Sequence, residues 1–190
     1  MTASLPGRGG QAVLPNGVAG MLIFVAAELM FFAGLGTAFA VARAGATMWP
    51  PLGQPRLPVE VTAVNTLVLL ASGALLARAH VAFARREAGL GGWLTGAMLL
   101  GATFVTVQGI EWVRLIGYGL TMTSSSFGSF FYLLVGAHAL HAVAAILGLA
   151  YVRARLAAGT LTPSAFWAAE IFWGFVVGVW PFLYVGVYLA

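Results

Sequence analysis

Two histidines three residues apart, His138 and His141, lie inside an apolar run from Phe130 to Val152, and a single glutamate, Glu28, lies inside another. Ionisable side chains at bilayer depth are costly, so they face other protein and often mark function. Imidazoles can ligate haem iron, zinc or copper, and a buried carboxyl can relay a proton or lock a helix. Bis-histidine haem ligation needs two rings approaching the iron from opposite faces. Positions i and i+3 of one helix point the same way, so His138 and His141 cannot hold one iron between them. The third histidine, His80, falls at the end of a different apolar segment, and a tetrahedral zinc or copper site needs more ligands than Glu28 adds. A site closed by neighbouring chains is one reading. Interhelical hydrogen bonding near Glu28 is the reading that ligand count favours. Neither metal ligands nor catalytic residues are assigned.

Glu28 stands about a dozen residues into the first apolar run, roughly 15–18 Å along a helix and therefore mid-bilayer. A charged acid there costs about 2.5–3.5 kcal/mol on insertion scales, which predicts a carboxyl that is protonated or strongly paired. Two roles follow: a proton-linked group, or a neutral hydrogen bond to a neighbouring helix.

The elements that must position these groups are spanning helices. Of 190 residues 61% are hydrophobic and only 7% charged, a surface no soluble domain could solvate. Five stretches reach the roughly 20 apolar residues a spanning helix needs, near Val18–Val41, Val61–Ala79, Trp93–Val113, Phe130–Val152 and Phe166–Leu189. The expected fold is an all-α integral membrane protein, one five-helix bundle over residues 18–190, preceded by a cytoplasmic arm over residues 1–17 that holds Pro and Gly without apolar period. Ala38-Phe39-Ala40 resembles a signal-peptidase site, but the apolar run before it is too long for a typical signal segment, so the first helix is expected to be retained.

With the N-terminus inside, Arg8, Arg78, Arg85, Arg86, Arg153 and Arg155 fall on the cytoplasmic side, and Arg43, Arg56 and Arg114 outside. That distribution favours a cytoplasmic N-terminus and an outside C-terminus. The basic residues flank helices and form no nucleic-acid patch, and the absence of cysteine excludes disulfides, iron–sulfur clusters and thiolate chemistry. Four prolines between Arg43 and Glu60 predict an extended outer connection, while Arg78–Gly92 and Arg153–Ala165 read as short inner loops.

Other intramembrane polar residues read as packing. Glu111 and Arg114 are one turn apart at an outer helix end, an interfacial anchor extended inward by Gln108. Asn65, Thr66 and Ser72 can bond across helices. Gly92-x-x-x-Gly96, Ala97-x-x-x-Gly101, Ala144-x-x-x-Gly148 and Gly174-x-x-x-Gly178 permit close helix approach. Pro181 should kink the last helix, with Gly178 beside it.

These residues together carry a resemblance. Glu28-Leu-Met-Phe-Phe-Ala-Gly34, Asn65-Thr-Leu-Val-Leu-Leu-Ala-Ser-Gly73 ending at His80, Gly101 to Trp112 with Gln108 and Glu111, and Phe127-Gly-Ser-Phe-Phe131 followed by Gly136-Ala-His138-Ala-Leu-His141 are similar, in order, to the helix signatures of subunit III of the haem–copper oxidases. The resemblance implies a non-catalytic accessory subunit of a proton-pumping terminal oxidase, in a five-helix form lacking the first two helices of longer members. It implies no cofactor on this chain, with haems and copper in subunits I and II. It further implies packing on subunit I (which in some systems supplies two extra helices), bound phospholipid, and support of proton uptake and working lifetime. A bacterial inner-membrane location follows. Within that pattern Glu28 matches the family's buried glutamate, and His138 and His141 its paired histidines. The last helix departs from the family: Trp173-Gly174-Phe175-Val176-Val177-Gly178 has glycine where the common form has His and Asp. The resulting face is expected to pack on another helix or leave room for a lipid chain. Two other readings stand: the accessory protein of a nitric oxide reductase, and a small proton-coupled transporter using Glu28.

Overall fold

The computed structural model describes residues 15–189. Among them the regular elements are all helical: α1 Asn16–Ala44, α2 Val59–Ala84, α3 Leu90–Gly117, α4 Ser126–Ala157 and α5 Pro163–Leu183, the last continued by a π-helical segment, Tyr184–Leu189. All five spans are long and apolar enough to cross a membrane. Of the arm expected over residues 1–17, residues 1–14, with Arg8, lie outside the described residues. Pro15 stands at the N-cap of α1, and Asn16 and Gly17 already belong to the helix.

Each helix runs past the apolar window that marks it in the sequence. At 26–32 residues, α1 to α4 are about 39–48 Å long, against a hydrocarbon core of about 30 Å. Backbone hydrogen bonding continues through the headgroup layer, where polar side chains are tolerated. The α2–α3 turn is therefore only residues 85–89, and the α4–α5 turn only residues 158–162, both shorter than the loops expected from composition. Two starts are set by local chemistry. Ser125 Oγ accepts the Gly128 N–H at 3.1 Å and Thr162 Oγ1 the Ala165 N–H at 3.3 Å, with Pro163 in the first turn, where a missing donor costs nothing.

Helix α5 is the hub: it packs on α1, α2 and α4, while α2 pairs with α3 and α3 with α4. Small residues set the close approaches. Trp173 is fully buried with its ring on Gly101, Val177 Cγ1 lies 2.9 Å from where a Cβ of Gly73 would stand, and Leu75 Cδ1 lies 3.0 Å from that position at Gly96. Gly174 and Gly178 do something else. A Cβ at either would meet nothing within 4 Å, so within this chain the face is left open. Both glycines line an open groove of about 440 Å³ between α2 and α5. Pro181 lies inside α5, whose α-helical assignment runs through Gly178 and Pro181 to Leu183, and the π-helical segment begins three residues after the proline.

A histidine–glutamate pair as the candidate functional site

Glu28 from α1 and His141 from α4 meet. Their Oε2 and Nε2 atoms are 3.1 Å apart, with the carboxyl side chain 20% and the imidazole 14% exposed. The other imidazole nitrogen, Nδ1, lies 2.7 Å from the carbonyl oxygen of Ala137. A carbonyl only accepts, so Nδ1 carries a hydrogen. The tautomer is thereby set by the helix itself. If His141 is neutral, its Nε2 is an acceptor and Glu28 must donate; if His141 is charged, Nε2 donates and Glu28 accepts. Either way an ionisable carboxyl and an ionisable imidazole from different helices lie 3.1 Å apart, so a small side-chain adjustment suffices for a hydrogen bond between them. Phe32, Phe172 and Phe175 surround the imidazole, their ring centroids 5.5, 6.2 and 5.9 Å away, all edge-on. These rings form an apolar surround for the imidazole, while the carboxyl remains partly accessible.

His138 is not part of this contact. It is 1% exposed, and neither ring nitrogen has a hydrogen-bond partner among the described residues. Its ring lies 4.9 Å from that of Trp180, tilted by 36°, with Phe104 edge-on at 6.2 Å. The expectation that both histidines bridge helices by hydrogen bonds is corrected for His138: the two rings share one side of α4 but are offset by about 60° around it, enough to bring His141 to α1 and His138 into the α3–α5 packing. A cavity of about 130 Å³, lined in part by Gln108 and Trp112, adjoins His138.

The remaining predicted residues serve the frame. Glu111, 8% exposed, accepts from Arg114 Nη1 at 2.6 Å, and Arg114 is 60% exposed, so the arginine carries the pair's charge to the interface. Asn65 Nδ2 donates to the Phe104 carbonyl at 3.0 Å and Ser72 Oγ to that of Ala97 at 2.7 Å, tying α2 to α3. Thr66 Oγ1 receives the Trp180 indole N–H at 2.8 Å. Two contacts carry no sequence signal, because their partners lie far apart in the chain. Tyr188, in the π-helical segment, accepts from Gln108 Nε2 at 2.7 Å, and His80 Nδ1 meets Glu170 Oε2 at 2.8 Å. Among the described residues no group of three or more His, Asp or Glu side chains could hold a metal ion.

Known proteins give the arrangement its context. The sequence profile of the family described as cytochrome c oxidase subunit III matches residues 1–190. Relatives named cytochrome c oxidase subunit 3 include that of Corynebacterium diphtheriae, 35% identical over 92% of this chain and 88% of its own length. The Synechocystis protein is 33% identical, over 90% of this chain and 74% of its own. That of Neurospora crassa is also 33% identical, over 89% of this chain but 65% of a longer protein. On this full-length match, the chain belongs to the cytochrome c oxidase subunit III family, whose members are non-catalytic, metal-free subunits of terminal oxidases.

Proposed function

We propose that this subunit lies in a bacterial inner membrane with its N-terminus cytoplasmic, packs on oxidase subunit I beside subunit II, and supports the oxidase through the Glu28–His141 pair. Subunit I is expected to contribute two extra helices next to α1. The carrying observation is the 3.1 Å approach of Oε2 of Glu28 to Nε2 of His141, two ionisable groups from different helices, with the carboxyl partly accessible at mid-helix. Such a pair can take or release charge with little movement, which suits a group linked to proton uptake by the partner subunit. Lipid holding is supported by an open groove of about 510 Å³ beside α1, lined by Gly36, Phe39, Ala40 and Arg43 from α1 and by Leu134 and Leu183 across it. Arg78, Arg85 and Arg86 at the α2–α3 end and Arg153 and Arg155 in the last turns of α4, all at one end of the bundle, support the orientation. The relatives' names favour cytochrome c as electron donor.

Glu28→Gln tests the reading, because the amide can still donate to His141 Nε2 but cannot ionise. The variant should assemble with subunits I and II in normal proportion and lose turnover or working lifetime. Oxygen consumption followed to inactivation on the purified oxidase reads this; turnover and lifetime both equal to wild type would show that the proton does not matter.

A further inference from the structure

At the arginine-rich end of the bundle, the 85–89 turn and the last turns of α4 enclose a pocket of about 460 Å³. Its lining divides in two. Phe83, Leu90 and Leu156 form an apolar wall, and Arg86 and Arg153 supply two cations, with Glu87 beside them. The glutamate is already engaged: its Oε2 is 3.0 Å from Arg78 Nη2 and its Oε1 3.9 Å from Arg85 Nη1. Arg86 and Arg153 have no carboxylate within 4 Å among the described residues, so this corner sets four arginines against one acid.

Both guanidinium groups are placed by structure. Arg153 Nε donates to Thr95 Oγ1 at 3.3 Å, and its Cζ lies 3.6 Å from where a Cβ of Gly91 would stand, so the planar group rests on the open face of α3. Its Nη groups have no partner among the described residues. Arg86 has φ 55°, the left-handed conformation that closes α2, with the following N–H, of Glu87, donating to the Ala82 carbonyl at 2.9 Å. Glycine is the favoured residue at such a cap, yet here the cap carries a cation at the pocket.

We infer that Arg86 and Arg153 hold the phosphate of an anionic phospholipid whose acyl chain lies along Phe83, Leu90 and Leu156. A phosphodiester is the anion found where spanning helices end, and guanidinium groups match its paired oxygens. The apolar wall distinguishes this pocket from a site for a free anion. A zwitterionic headgroup would bring its own cation toward two unneutralised arginines, which selects anionic lipid. The site is separate from the groove beside α1 and does not depend on which face is cytoplasmic.

The test uses the purified oxidase complex, delipidated in mild detergent and titrated with phosphatidylglycerol or phosphatidylcholine, with bound lipid counted by native mass spectrometry. Wild type should retain one more phosphatidylglycerol than the Arg86→Gly, Arg153→Gln double variant, with about fivefold weaker retention for each arginine lost. Glycine at position 86 keeps the left-handed turn, so a loss there reports the guanidinium and not the fold. Arg155→Gln removes the same charge outside the pocket, where Arg155 sits 5.9 Å from the Tyr151 ring, and should retain the lipid. Equal retention in wild type and double variant would overturn the inference, as would loss in Arg155→Gln to the same degree. Displacement of the lipid by millimolar inorganic phosphate would assign a free-anion site, and equal retention of phosphatidylcholine an apolar groove; either also overturns it.

Discussion

Gly101→Ala is the sharpest test of the packing that holds the bundle together. A Cβ at this position would stand 2.7 Å from Trp173 Cζ2 and 3.5 Å from Ile146 Cγ1. Non-bonded carbons sit best at about 3.5–4.0 Å, so α3 and α5 must separate by roughly 1 Å or the indole must turn. Trp173 is completely buried and cannot turn cheaply. Overpacking of this kind costs about 1–3 kcal/mol, and relief of glycine's helix penalty returns about 0.5–1 kcal/mol. The expected net loss is about 1–2 kcal/mol, a factor of roughly five to thirty in the folded ratio. Gly109→Ala, on the same helix with nothing within 4 Å of its Cβ position, gains the helix term without the clash and should be neutral or slightly stabilising. Detergent-unfolding midpoints of the two variants in the purified oxidase, followed by tryptophan fluorescence, give the comparison. A Gly101→Ala midpoint at or above that of Gly109→Ala would refute the close packing of Trp173 on α3.

Tyr188→Phe removes the hydroxyl bonded to Gln108 and should loosen the π-helical segment, costing about 1 kcal/mol and speeding proteolysis after α5. Trp180→Phe deletes the indole bond to Thr66 but leaves Thr66 Oγ1 bonded to the Thr62 carbonyl at 2.7 Å; its cost should stay near the ~0.6 kcal/mol typical of intramembrane hydrogen bonds plus lost packing, read in the same unfolding titration. Gly174→Leu and Gly178→Leu place side chains in the open α2–α5 groove, where a Cβ at either position meets nothing within 4 Å; a fall in subunit I recovered with the tagged variant, with the Gly174→Ala and Gly178→Ala variants unaffected, would show that a partner helix uses the face, and full recovery would show that it does not. His141→Phe should leave Glu28 without its partner and cost more assembly than Glu28→Gln, measured by recovery of the complex.

The helix class and the five spans were legible because apolar runs of spanning length have no other stable form in a membrane. Their ends were not: hydropathy marks the hydrocarbon layer, whereas α2 and α3 keep their hydrogen bonds out to Ala84 and back to Leu90. Glu28 could be singled out by depth alone. Its partner could be narrowed only to two histidines, since the choice depends on the rotation of α4 against α1. That rotation gives the contact to His141 and buries His138 against Trp180. The pairs His80–Glu170 and Gln108–Tyr188 were invisible for the same reason, each joining helices whose residues share no local pattern.

From sequence alone follow the membrane class, the five-helix organisation, the lack of thiolate chemistry and the exclusion of one iron held between His138 and His141. Each rests on hydrophobicity, residue count or helical period, which are local properties of the chain. Tertiary structure decided which histidine meets Glu28, which glycines are filled by a neighbour and which are left open, and where the arginines gather around a pocket. Those outcomes depend on helix rotation and crossing, set by the packing of Trp173, Trp180 and Val177 across helices, and a one-dimensional pattern does not contain them.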